Sequence, residues 1–180
     1  MRVTWNLPNV LTLARLAAVP FVGLLLLAQT TLTRDLAAVL FVAAAVTDFI
    51  DGAIARKRGI TTDFGALLDP IADKALISVA LIGLSALGDV PWWVTIVILG
   101  REFAVTGLRM WVLRHGVIPA SRGGKVKTLA QIIAIAMFLA VGPAWWVDAA
   151  WVVMLIALVL TVVTGVDYLF RVLRLRRASL

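Results

Sequence analysis

Asp48, Asp51, Asp69 and Asp73 stand in a stretch that is otherwise mostly apolar, and carboxylates in such surroundings need a chemical reason. Asp48 and Asp51 are spaced i, i+3 and Asp69 and Asp73 i, i+4, so on helices each pair shares one face. Gly59 suits the end of one helix and Thr62 or Asp63 the cap of the next, and so short a turn forces an antiparallel hairpin. Helix rise from that turn puts Asp51 at about 12 Å, Asp48 at about 16 Å, Asp69 at about 9 Å and Asp73 at about 15 Å, so the two pairs come level. Four charges at one depth must be relieved by protonation, by basic neighbours or by cations. Oxygen donors select hard ions, Mg²⁺ or Mn²⁺ over Zn²⁺, and the chain has no cysteine and one histidine, His115. Two divalent ions would balance the four carboxylates, and paired ions clamp phosphoryl oxygens during displacement. Arg56 and Lys74 nearby suit a phosphate-rich ligand. The residues alone therefore point to metal-assisted phosphoryl-type transfer.

The elements that carry these acids are membrane helices by composition. Of 180 residues, 62% are apolar and only 15% charged, and the mean hydropathy is +1.02; soluble domains carry about a quarter of their residues as charges. Apolar runs broken by Gly, Pro and charge clusters lie at about Val10 to Ala28, Leu36 to Ala55, Phe64 to Leu87, Trp92 to Leu113, Leu129 to Val141 and Trp146 to Phe170. The fifth is long enough to span if extended back toward Gly124, with Lys125 and Lys127 snorkelling. Arg15 inside the first run argues for a retained span over a cleaved signal. The expected architecture is an all-α integral membrane protein with six transmembrane helices, a single membrane domain over residues 1–180. Thr4 to Leu16 mixes polar and apolar residues and suits an N-terminal interfacial amphipathic segment.

Charge placement orients the chain. Six spans put the basic segments Arg2 to Arg15, Arg56 to Thr62, Arg114 to Lys127 and Arg171 to Leu180 on one side and only Arg34 in the loops of the other. By the positive-inside rule both termini are cytoplasmic, and the net charge of +7 is explained without nucleic acid. Trp92, Trp93, Trp145 and Trp146 fall at the outer interface, Trp5 and Trp111 at the inner one.

The run from Asp48 to Asp73, D-x2-D-G-x2-A-R-x8-G-x3-D-x3-D, resembles the signature of the CDP-alcohol phosphotransferases at every fixed position. Further likeness lies in Asn6-x-Pro8-Asn9-x-Leu11-Thr12-x-x-Arg15, in Arg101-Glu102 with Leu108-Arg109-x-Trp111, and in Gly124-Lys125-Val126-Lys127-Thr128-x-x-Gln131. The resemblance implies transfer of the phosphatidyl group of CDP-diacylglycerol to sn-glycerol 3-phosphate with release of CMP. It also implies that Asp48, Asp51 and Asp69 hold one ion, that Asp48, Asp69 and Asp73 hold the other, and that Asp73 is the general base. Gly52, Arg56, Thr62 and Gly65, with Asn9 and Thr12, carry over as contacts of the nucleotide lipid. Arg101, Arg109, Lys125 and Lys127 are expected at the acceptor phosphate, because a dianion needs several converging donors. A homodimer among membrane lipids, at the cytoplasmic membrane with the site facing the cytoplasm, completes what the resemblance implies.

Each feature has a plainer reading. The four acids could be polar glue between helices or part of an ion or proton pathway, but no second acidic cluster or discontinuous repeat supports a transporter. A noncatalytic lipid-binding scaffold predicts lost signature positions, and none is lost. Arg101 and Glu102 could be a structural pair, Lys125 and Lys127 ordinary anchors, and Arg171, Arg174, Arg176 and Arg177 headgroup contacts. Phosphatidylglycerol or inositol phosphate as acceptor would use the same metal core.

Overall fold

Local stop and start signals divide the chain into helices close to the apolar runs. The computed structural model describes the backbone of residues 7–58, 63–112 and 122–178 and the side chains of residues 10–47, 71–108 and 123–174. Six helices account for these residues, with no strand among them: α1 Leu7–Leu27, α2 Thr31–Arg58, α3 Asp63–Ala86, α4 Trp92–Val112, α5 Arg122–Leu139 and α6 Ala144–Ala178. Thr30 caps α2, its hydroxyl accepting from Thr33 N at 3.2 Å while Thr33 Oγ1 accepts from Thr30 N at 3.1 Å, a reciprocal cap. α3 ends in a Schellman motif: Gly88, at φ +83°, donates to Ser85 O, and Asp89 donates to Leu84 O. Pro91 and Pro143 stand directly before α4 and α6, where a missing N–H costs nothing.

Three helices outrun their apolar runs by five residues or more. α2 begins five residues before Leu36, α5 seven before Leu129, and α6 continues eight beyond Phe170; the Thr30 cap starts α2, and arginine and leucine, good helix formers, extend α6. α1 passes unbroken from Leu7 to Leu27, so from Leu7 onward the expected interfacial stretch is one with the first long helix. Thr12, Arg15, Ala18, Val22 and Leu26 form its buried stripe at helical spacing. Arg15, 2% exposed, donates from Nε to Ala44 O of α2 at 3.3 Å. A buried partner, not a lipid surface, therefore accounts for Arg15; residues 4–9 of the segment lie outside the residues with described side chains.

α1 packs along both α2 and α3, α5 along α6, α2 and α3, and α4 against α6 and α3. Small residues let the helices approach: Ala37, Ala38, Ala44 and Ala45 of α2 are buried, as at membrane helix contacts. The core joins these to Phe41, Leu76, Leu81, Leu84, Ile98, Ile135 and Met154.

Arg34, expected in a loop, lies in the first turn of α2 and closes the end of the bundle away from Asp48. Its Nη2 donates to Phe138 O at 2.7 Å and its Nε to Leu139 O at 3.4 Å, satisfying carbonyls that α5 leaves open at its C-terminus. The same guanidinium pairs with Asp89 at 2.7 Å, and Asp35 accepts from Val141 N at 3.1 Å. Arg34→Met is expected to lower stability by about 2 kcal/mol, since it strands a carboxylate and two carbonyls at once. Thermal unfolding in detergent checks this, with Asp35→Asn as the milder comparison.

Candidate active site

The helix bounds place the acid-bearing segments. α2 ends at Arg58 and α3 begins at Asp63, so Asp48 and Asp73 each lie ten residues, about 15 Å, from the junction, with Asp51 and Asp69 at about 10 Å and 9 Å. Both helices are continuous through these positions, and α3 passes through Pro70 without a break. The i, i+3 and i, i+4 spacings therefore hold as helical spacings. The side chains of Asp48, Asp51, Gly52, Arg56, Gly65 and Asp69, like those of Asn9 and Arg109, lie outside the described residues, as does Thr62 altogether.

Asp73 is described, half-buried on α3, and within electrostatic reach of Lys127 on α5. Lys127 is 3% exposed, whereas Lys125 is exposed. Two residues apart on a helix is a rotation of about 200°, so the two lysines take opposite sides of α5. Thr12 is buried on α1 and is hydrogen-bonded or otherwise engaged.

A polar network ties α4, α5 and α6 together around Lys127. Lys127 Nζ donates to Glu102 Oε1, and Arg101 Nη1 donates to the same oxygen at 3.1 Å. Arg101 is also held by α6, through Nε to Thr161 O at 3.1 Å and Nη2 to Thr164 Oγ1 at 2.9 Å. Gly165 gives it room, because a Cβ there would sit 3.0 Å from Arg101 Cγ. One turn beyond Lys127, Gln131 Nε2 donates to Thr161 Oγ1 at 2.8 Å, and its own Oε1 lacks a hydrogen-bond partner among the described residues. Of the four bases expected at an acceptor phosphate, the structure thus brings Arg101 and Lys127 onto one carboxylate and turns Lys125 outward.

Thr161, Thr164 and Gly165 escaped sequence reasoning. Their signal was faint but present: two hydroxyls spaced i, i+3 and a glycine interrupt an otherwise apolar run on α6. Arg101 lies about 15 Å from the Trp92 end of α4, and an arginine that deep requires such partners.

A family model described as CDP-alcohol phosphatidyltransferase matches residues 5–163. The chain belongs to that family. Among curated relatives of this phosphatidyltransferase, a "Probable phosphatidylglycerophosphate synthase" of Mycobacterium tuberculosis is 53% identical over 172 residues, covering 94% of this chain and 82% of the relative. Two proteins named "CDP-diacylglycerol--glycerol-3-phosphate 3-phosphatidyltransferase" are also similar. That of Bacillus subtilis is 45% identical, covering 75% of this chain and 77% of the relative; that of Escherichia coli is 38% identical, covering 92% and 93%. For this phosphatidyltransferase chain the donor set tests what ion would suit it. Asp48, Asp51, Asp69 and Asp73 offer oxygen alone, on two helices, and that chemistry fits a hard divalent cation.

Proposed function

We propose that this phosphatidyltransferase moves the phosphatidyl group of CDP-diacylglycerol to the primary hydroxyl of sn-glycerol 3-phosphate, giving phosphatidylglycerophosphate and CMP in phospholipid biosynthesis. The observation that carries the reading is the likeness, across most of its length, to relatives named for that product or that acceptor.

The setting is a multi-pass protein of the cytoplasmic membrane with six spans, both termini and the site on the cytoplasmic side, working as a homodimer. Among the described residues, two helices, within Val10–Leu27 and Ala144–Arg174, are long and apolar enough to cross a bilayer. The distribution of side chains supports a lipid setting: Leu24 and Ile96 are 61% and 65% exposed, while Thr12, Arg15, Lys127 and Gln131 are buried. Such an arrangement, polar within and apolar without, is costly in water and suited to lipid.

Mg²⁺ or Mn²⁺, two ions held by Asp48, Asp51, Asp69 and Asp73, would supply charge that stabilises the diphosphate and the departing CMP. Asp73 takes the proton of the acceptor hydroxyl as that oxygen bonds to the lipid-side phosphorus, and the bond from that phosphorus to the CMP oxygen breaks. Gly52, Arg56, Thr62 and Gly65, with Asn9 and Thr12, hold the nucleotide lipid. Arg101, Arg109, Lys125 and Lys127 supply the positive field for the acceptor phosphate, Lys127 from the buried side of α5 and Lys125, turned the other way, only at long range.

Purified protein given labelled CDP-diacylglycerol, Mg²⁺ or Mn²⁺ and one alcohol at a time is expected to release CMP with sn-glycerol 3-phosphate. Release only with phosphatidylglycerol, or only with inositol phosphate, would reassign the acceptor. No release with any alcohol would favour an ion or proton pathway. Arg109→Ala is expected to raise the glycerol phosphate concentration for half-saturation about tenfold or more, the worth of one lost charge-assisted hydrogen bond. The requirement for CDP-diacylglycerol should move little, and equal changes in both would argue against separate subsites.

A further inference from the structure

We propose that Glu102 is a positioning residue for the acceptor: its carboxylate, anchored through Arg101 to α6, holds the Lys127 ammonium on the buried side of α5. The inference rests on the reading above, in which Asp73 is the base and Lys127 serves the acceptor phosphate, and it gives Glu102 a part in that step.

Glu102 Oε1 takes a hydrogen bond from each of two cations, Lys127 Nζ and Arg101 Nη1. Arg101 cannot follow Glu102 if the carboxylate moves, because its other nitrogens are spent on Thr161 O and Thr164 Oγ1 and its stem lies against Gly165. The anchor on α6 is thus fixed, and Glu102 transmits that fixity to Lys127 on α5. A brace between α4 and α6 needs only Arg101 and its two threonines. Glu102 adds nothing to that brace and instead reaches a third helix, to a lysine that also feels Asp73 on a fourth.

Charge explains why a carboxylate is used. Two cations and one anion leave the group at a net +1, which is the sign an incoming phosphate requires. Lys127 has four rotatable bonds, and an unrestrained ammonium would sample several positions at a cost in affinity. Bonded to Glu102 and buried on α5, the ammonium is confined.

The test compares wild type, Glu102→Gln, Lys127→Met and the double variant in detergent. Glu102→Gln keeps the shape and removes the charge. It is expected to raise the glycerol phosphate concentration for half-saturation about tenfold, while that for CDP-diacylglycerol stays within about twofold. The double variant should lose no more than Lys127→Met alone, since the two side chains act as one unit. Labelling with an amine-acylating reagent, read by mass spectrometry, gives a measure independent of turnover: Lys127 should be protected relative to exposed Lys125 in wild type and lose that protection in Glu102→Gln. Equal kinetic effects on both substrates, an additive double variant, or unchanged labelling of Lys127 would overturn the proposal. If Glu102→Gln is not monodisperse, Glu102→Asp, which keeps the charge but draws it back, should give intermediate labelling and kinetics, and wild-type values there would overturn the proposal equally. A wild-type protein that releases no CMP with glycerol phosphate would sink the functional reading, whereas the labelling result would still decide whether Glu102 holds Lys127.

Discussion

Asp73→Asn is expected to cut turnover by about 10²- to 10⁴-fold, the usual worth of a general base, while leaving much of the affinity for CDP-diacylglycerol. Asparagine keeps the shape of the side chain but cannot accept the acceptor's proton. A hydroxyl is a poor nucleophile near neutral pH, so without a base the bond to phosphorus forms slowly. Asp48, Asp51 and Asp69 remain to hold one ion and the diphosphate with it, so donor binding should survive. CMP release measures the first effect, and equilibrium binding of labelled CDP-diacylglycerol the second. Turnover near wild type would remove Asp73 from the base role, and a parallel collapse of donor binding would make it chiefly a metal ligand.

Exhaustive chelation is expected to have an effect at least as large: turnover should fall about 10³-fold or more and return with Mg²⁺ or Mn²⁺ but not with Zn²⁺. Stabilising the charge of a departing diphosphate is worth several kcal/mol, and about 4 kcal/mol is already a factor near 10³. The selectivity follows from a donor set of carboxylate oxygens in a chain without cysteine. Removing the ions should also destabilise the protein, because four carboxylates at similar depth would then repel one another. A fall in the thermal midpoint on chelation, reversed by the same ions, gives a readout that does not depend on catalysis. Full activity after thorough chelation would leave the acid quartet without its proposed purpose.

The helices were legible because their causes are local. Apolar length, the Thr30 cap, the Gly88 turn and the prolines before α4 and α6 are written in neighbouring residues, and the elements follow them within a few positions. Where expectation and structure part, polar residues are the reason. Arg34 precedes the apolar run of the second span yet belongs to α2, since Phe138 O, Leu139 O and Asp89 receive its charge. Thr12 and Arg15 look like an interfacial stripe in sequence, and burial of Arg15 against Ala44 O gives them an interior role.

The candidate site divides in the same way. The level placement expected for Asp48, Asp51, Asp69 and Asp73 needs only helix rise and a short turn, and the bounds of α2 and α3 put the four positions about 9 to 15 Å along their own helices. The separation of Lys125 from Lys127 was in principle also legible, because a two-residue step crosses a helix. The partnership of Arg101, Glu102, Lys127, Thr161 and Thr164 was not. It joins positions 25 to 63 residues apart, and nothing in a one-dimensional pattern sets how α4, α5 and α6 are rotated about their axes.

The amino-acid sequence by itself determined the helices and the family, and it set the expected depths of the four acids, since each depends on spacing along one chain segment or across one short turn. Only the tertiary structure decided which buried polar groups answer one another across α1, α4, α5 and α6. In a lipid setting every helix is apolar on most sides, so hydrophobic pattern says little about which face meets which neighbour. The choice falls to a few hydrogen bonds and small residues, and those are visible only once the helices are packed.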